Sequence, residues 1–373
     1  MSGVYIHIPF CKQKCSYCDF HFSTNFQGYR GRIIKTIIEE LIMRNDDLEN
    51  ASVSSVYFGG GTPSLLTYDE LTTILNVVYD NYQITNDVEI TLEANPDDVT
   101  PNRVSEWKAA GITRFSLGVQ SFRNKDLEWM NRAHNANEAV HSIELIKNGG
   151  FDNFSVDLIY GSPDLSEEDW QFQLEKLISL GVPHISAYCL TIEDHTVLSH
   201  KTKRGDFHPA SDDEQAKQFL RLMEITSGAG FEHYEISNFA RPGFRSKHNS
   251  SYWQSKPYIG IGPSAHSFGG NRRSWNISNN MLYMKGIEEG KRNFEVEELT
   301  SKDRFNELLL TGLRTMEGVS IRQLNEITGI PESFWMELEK FSDTNWIETS
   351  EERLILTKEG RLRADHIAAS LFL

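Results

Sequence analysis

Cysteine is scarce in this chain: four residues in 373. Three of them, Cys11, Cys15 and Cys18, lie within eight positions, and Cys189 stands far away. A disulfide framework needs pairs and an oxidising compartment, so this usage points to a reducing cytoplasm and to metal. Cysteine 189 reads as a small buried strand residue rather than a ligand. Basic residues are also in the minority, 37 Lys and Arg against 53 Asp and Glu, for a net charge of −16. That balance argues against non-specific nucleic-acid binding. No apolar run approaches the roughly 18 residues of a membrane span. Val4-Tyr5-Ile6-His7-Ile8-Pro9-Phe10 follows the start directly, without a cationic segment and a long apolar one, so no signal peptide is expected. A Gly-x-Gly-x-x-Gly turn after the first strand is missing, which argues against a dinucleotide-binding fold.

What is present is an alternation. Short β-type runs at Val4–Pro9, 55–58, 89–94, 114–119, 154–159 and 184–192 are each followed by a helical pattern. Helices are expected over 29–43, 68–78, 102–110, 136–147, 167–179 and 212–229. In the first, Ile33, Ile34, Ile37, Ile38 and Leu41 form one apolar stripe at helical spacing. Gly111, Gly149 and Gly181 are read as helix-terminating residues. Six strand–helix units predict a parallel sheet with helices outside, an α/β fold closed into a full or partial barrel. Chemistry in such barrels gathers at the C-terminal ends of the strands.

From about 236 to 275 the periodicity fades, and Gly, Pro, Ser, Asn and aromatics dominate. The density of Tyr, Trp, Phe and His argues for a functional segment rather than disorder. After residue 300 three short helices, a small hairpin and a final helix predict a winged-helix-like unit. Nine basic against thirteen acidic residues give residues 301–373 a net charge of −4, which favours a packing or covering role over DNA binding. The chain therefore divides into a barrel at 1–235, an aromatic and Gly-rich segment at 236–299 covering the site, and a C-terminal unit at 300–373.

Cys11-x-x-x-Cys15-x-x-Cys18 directly after the first strand is the most informative feature. A loop at a strand end can wrap three thiolates around one corner of a [4Fe-4S] cubane, one ligand per iron, leaving one iron open. A structural zinc site would want a fourth Cys or His, for which His7 and His21 are at hand.

With Tyr17 before the last cysteine, this motif resembles that of the radical S-adenosylmethionine (radical SAM) superfamily. The flanks resemble one family within it, oxygen-independent coproporphyrinogen III oxidase and its relatives. The likeness is carried by Tyr5 to Cys11, Phe58-Gly59-Gly60-Gly61-Thr62-Pro63-Ser64, Glu93-Ala94-Asn95-Pro96 and Ser116-Leu117-Gly118-Val119-Gln120-Ser121. Asp157-Leu158-Ile159-Tyr160-Gly161 and Gly260 to Ser267 continue it. The resemblance implies a partial (β/α)6 barrel, a [4Fe-4S] cluster on Cys11, Cys15 and Cys18, and SAM bound at the open iron. It also implies SAM contacts from Tyr5, Gly60, Gly61, Thr62, Glu93, Gln120, Arg132 and Asp157. The glycines suit such a role because backbone without side chains can approach a ligand closely.

One departure narrows the reading. The oxidase motif ends in a fourth cysteine where this chain has Phe20. That residue, and His248-Asn249-Ser250-Ser251-Tyr252-Trp253, resemble the haem-chaperone branch of the family. The resemblance then implies haem as cargo with His248 as its binding residue, haem-requiring proteins as acceptors, and an electron donor if SAM is cleaved. A coproporphyrinogen III oxidase or another radical SAM enzyme acting on tetrapyrroles is the alternative. His134, His141, His184 and His233 read as structural or surface residues.

Overall fold

A computed structural model describes residues 2–49 and 51–373. Six parallel strands lie side by side in chain order: β1 (Ser2–Ile8), β2 (Val53–Gly60), β3 (Ile84–Ala94), β4 (Arg114–Gln120), β5 (Phe154–Tyr160) and β6 (His184–Cys189). The intervening helices are α1 (Arg30–Met43), α2 (Tyr68–Asn81), α3 (Pro101–Ala109), α4 (Asn124–Trp129), α5 (Ala136–Asn148) and α6 (Glu167–Ser179), and α7 (Val197–Lys203) and α8 (Asp212–Gly228) follow β6. Alternation along the strands sorts the side chains. Val4, Ile6 and Ile8 point outward into the helix layer and are fully buried with Ile33, Ile37 and Leu41 of α1. Their neighbours Gly3, Tyr5 and His7 point the other way, into a lumen. Local signals start the helices. Thr67, Asn135 and Ser211 each build a capping box with the glutamate three residues on. At the end of α5 the left-handed residue is Gly150 (φ +78°), with Gly149 still helical, one position later than the sequence suggests.

The sheet continues on both sides. β7 (Glu232–Glu235) and β8 (Asn238–Ala240) add antiparallel strands beyond β6. On the other side β9 (Tyr258–Ile261) runs parallel beside β1, followed by antiparallel β10 (His266–Gly269), β11 (Arg272–Asn276) and β12 (Phe294–Glu298). Residues 236–299, of which about 236–275 read as irregular by sequence, thus contribute ordered sheet plus α9 (Lys247–Trp253) and α10 (Asn280–Glu288). The reason is non-local. Glu40 of α1 is buried and accepts hydrogen bonds from the Gly262 amide, the Asn276 side chain and the Tyr283 hydroxyl, with Arg44 alongside. Such a satisfied buried network fixes the extension without needing a periodic apolar stripe.

The C-terminal unit comprises α11 (Ser301–Gly312), β13 (Val319–Ser320), α12 (Ile321–Thr328), α13 (Glu332–Asp343), β14 (Ile347–Thr349), β15 (Arg353–Leu356), α14 (Lys358–Arg361) and α15 (Ala364–Ser370). Its sheet order, β13-β15-β14, is that of a winged helix, around a separate core of Phe305, Leu309, Leu324, Phe334 and Leu354. A bridge between Glu235 and Thr315, and the Arg361 guanidinium on the His233 carbonyl, dock it to the barrel.

Candidate cluster and cofactor site

The cysteine loop leaves β1 at its C-terminal end. Cys11 is held to Ser23 by a backbone bond, and Cys18 donates to the Cys15 carbonyl, closing the turn. The glycine triplet lies beneath this loop. A side chain at Gly61 would lie 2.5 Å from the Phe10 carbonyl oxygen, and one at Gly60 (φ +105°) would meet the His7 ring. The triplet is therefore required by the chain's own packing of loop on strand as well as by any ligand. His7 is pinned beneath, one ring nitrogen on the His21 carbonyl (2.8 Å) and the other on the Tyr5 hydroxyl (3.2 Å). Burial drives its pKa down to about 4, so it is neutral.

Arg132 organises the mouth. Its guanidinium donates to the Gly118 carbonyl and to Asn95 Oδ1, both at 2.6 Å, and reaches the Cys15 sulfur at 3.4 Å. Asn95 donates to the Thr62 hydroxyl (3.3 Å), which donates to the Cys11 sulfur (3.4 Å). One polar chain therefore connects two cluster cysteines with the ends of three strands. Arg132 Nε is buried without a partner. Gln120, at the end of β4 beside a bulge, has φ +69°, a left-handed conformation that a non-glycine residue adopts at a cost of about 1 kcal/mol.

Deeper in the lumen are two carboxylates. Glu93 accepts from the Tyr57 hydroxyl (2.9 Å), and Asp157 from the Ser116 hydroxyl (3.2 Å). Burial raises Glu93 to about 7 and Asp157 to about 6, and the charge of Asp157 adds to the rise at Glu93. The Tyr5 ring lies 6.1 Å from that of Tyr57. The structure thus places Gly60, Gly61, Thr62, Gln120 and Arg132 at the mouth with the cysteine loop, Glu93 and Asp157 deeper in the lumen, and the Tyr5 ring 6.4 Å from that of His248. Sequence reasoning passed over Asn95, although it stands in the quoted Glu93-Ala94-Asn95-Pro96 stretch. It also passed over Tyr57 and the fully buried Arg114, whose alternation with outward-facing apolar residues was the available signal.

His248 lies elsewhere. It is buried at the N-terminal end of the lumen, stacked on Tyr57 (4.9 Å between centroids) and close to β1, where a Cβ at Gly3 would lie 3.3 Å from its ring. Its Nδ1 bonds the Ser55 hydroxyl and its Nε2 the Tyr252 hydroxyl, both at 2.8 Å. Glu89 accepts the Lys247 and His248 amides at the start of α9. In this arrangement neither ring nitrogen is free. Cys189 is half-buried, its thiol donating to Gln215. His134, His184 and His233 are hydrogen-bonded in the interior, and His141 is exposed.

The donor set at the mouth suits a cubane. Among the described residues no three His, Cys, Asp or Glu side chains close around one point as ligands of a single ion would. A [4Fe-4S] cluster asks instead for thiolates on separate irons. Burial and mutual proximity push Cys11 up to about 12 and Cys18 up to about 11, so the site needs positive charge to hold thiolates, and iron supplies it. The unpartnered Arg132 Nε and the lumen carboxylates offer complements to the carboxylate, ammonium and ribose of SAM.

Comparison with known proteins agrees. The radical SAM superfamily model matches residues 5–177, and the HemN C-terminal domain model matches 299–363. A solved structure of coproporphyrinogen III oxidase (HemN) from Escherichia coli shares the fold, with a TM-score of 0.86 at 20% identity. That match covers 100% of this chain and 90% of the other. A protein named heme chaperone HemW from Lactococcus lactis is 35% identical over 86% of this chain and 84% of its own length. Its namesake from Mycobacterium tuberculosis is 34% identical over 99% and 94%. The superfamily implies a [4Fe-4S] cluster and SAM, and the residues at the barrel mouth fit both. This chain belongs to the HemW family of radical SAM proteins.

Proposed function

We propose that this protein is a haem chaperone of the cytoplasm, which binds haem and passes it to haem-requiring proteins while holding a [4Fe-4S] cluster and SAM. The observation that carries this reading is the likeness, over almost the whole chain, to proteins named heme chaperone HemW. Phe20 supports it. Where the oxidase motif has a further cysteine, this chain has a phenylalanine, 66% exposed as a residue, beside the cluster loop. Among the described residues no helix is long and apolar enough to cross a membrane.

Cys11, Cys15 and Cys18 hold the cluster in this reading. Thr62 and Arg132 donate to two of the sulfurs, which lowers their basicity and fixes the loop. Arg132, Glu93 and Asp157 bind the charged and hydroxyl groups of SAM, with Tyr5, Gly60, Gly61 and Gln120 shaping the pocket. Bound there, the cluster and SAM supply one-electron chemistry if an electron donor is available.

The test is a haem titration of cluster-reconstituted protein followed by absorbance. Stoichiometric haem binding is expected, together with no turnover of coproporphyrinogen III in the presence of SAM and reductant. Absence of haem binding would overturn the reading, and formation of protoporphyrinogen would overturn it in favour of the oxidase.

A further inference from the structure

Helix α9 has two faces. His248 and Ser251 are buried toward the barrel. Ser250, Trp253 and Gln254, spaced at i, i+3 and i+4, line a groove of about 670 Å³ between α9 and the C-terminal unit. This volume lies within the roughly 300–1,000 Å³ of small-molecule and cofactor pockets. The groove is at the opposite end of the barrel from the cysteines.

Its chemistry is specific. The apolar part is Trp253 and Phe268 from the barrel side and Leu308 and Ile327 from α11 and α12. The Trp253 indole N–H is buried without a partner, and the Arg314 guanidinium lies 5.2 Å from its ring. Six charged residues line the groove, three acidic and three basic. All three carboxylates are already neutralised: Glu307 by Arg273, Glu317 by Arg245 and Glu326 by Arg322. That leaves Arg304 and Arg353. Arg353 donates only to the carbonyls of Glu317 and Gly318, and neither arginine has a carboxylate partner among the described residues. Two uncompensated guanidinium groups flank an aromatic and aliphatic slot. A flat, apolar ligand with two carboxylates matches it, and arginine is suited to planar carboxylate recognition.

Resting on the reading that this protein carries haem, we propose that haem is seated in the groove between α9 and the C-terminal unit. Its propionates meet Arg304 and Arg353, and its ring lies against Trp253, Leu308 and Ile327. None of the lining residues is His, Cys or Met, and the hydroxyl of the lining Tyr234 is already bonded to His184, so the groove offers the iron no free axial side chain. Retention through ring and carboxylates alone suits a cargo that must leave.

The experiment titrates full-length, cluster-reconstituted protein with ferric haem and, separately, with haem dimethyl ester, which lacks the carboxylates. Wild type, Arg304→Glu and Leu308→Trp are compared, with unfolding temperature and iron content as controls for folding. Arg304→Glu is expected to weaken haem at least tenfold and to leave the ester unchanged. Leu308→Trp, which fills the slot, is expected to weaken both. If wild type binds haem and both variants bind it equally well, the groove is not the seat, although the haem reading stands. If wild type binds no haem, that reading falls and the groove assignment with it.

Discussion

The two ends of one lumen are built on opposite rules. At the C-terminal end of the strands, three thiols share one loop, Arg132 Nε has no partner and Gln120 is held in a left-handed conformation. At the N-terminal end, His248 is saturated by Ser55 and Tyr252, and Glu89 caps the helix that carries it. Both ends contain residue types that can do chemistry. Inside the lumen the first leaves Arg132 Nε unspent, whereas the second leaves neither nitrogen of His248 free. A buried, fully bonded histidine is structural in the state described here, whereas an orphaned arginine beside cysteines marks a place where a ligand completes the protein.

Substitutions at the two ends should therefore separate. The largest effect is expected for Cys15→Ala: iron and sulfide contents and the brown absorbance should fall to background while the far-ultraviolet circular dichroism is kept. His248→Ala should do the reverse. It strands two buried hydroxyls and opens a cavity, at a cost of about 3 kcal/mol, seen as a lower unfolding midpoint with cluster content unchanged in the folded fraction. A loss of cluster in His248→Ala at full stability would erase the distinction.

The pH dependences differ in sign as well. Burial holds His248 neutral with a pKa near 3 against an ordinary 6.5. The unfolded chain takes up a proton below 6.5 that the folded chain refuses, so stability is lost as pH falls from 6.5 toward 3. His248→Asn should make that slope shallower in urea titrations. Glu93, raised to about 7, behaves oppositely: the folded protein holds its proton between about 4.5 and 7, so its contribution to apoprotein stability is lost as pH rises through that window. SAM binding that requires the Glu93 carboxylate should weaken below pH 7, by up to about tenfold per unit. Glu93→Gln should remove that dependence in equilibrium dialysis. The smallest effect is expected at Gln120. Glycine there should relieve the strained φ and stabilise the apoprotein by up to about 1 kcal/mol, while SAM binding weakens through loss of the side chain.

Much of this was legible in the chain. Strand–helix alternation placed all six parallel strands because each outward face is apolar and each helix has a stripe to bury. The cysteine loop was legible because a cluster imposes short-range spacing. The segment 236–299 was not, because its order comes from the buried Glu40 network and from pairing with β1, contacts more than 200 residues apart in sequence. His248 was read from its motif as a haem-binding residue, but its surroundings were not readable. Which face of α9 turns inward is decided by Gly3, Ser55 and Glu89, all distant in sequence. The same separation hid the groove, whose walls come from both units.

In the proposed function the cluster end belongs to a radical SAM protein whose cargo is haem. Haem-loaded, cluster-replete protein mixed with a haem-free acceptor of higher affinity tests it most directly, with the acceptor's absorbance as readout. Stoichiometric appearance of the haem-bound acceptor, with coproporphyrinogen III left unconverted in a parallel reaction, is the expected result. Failure to load haem, or conversion of coproporphyrinogen III to protoporphyrinogen, would rule out a haem chaperone.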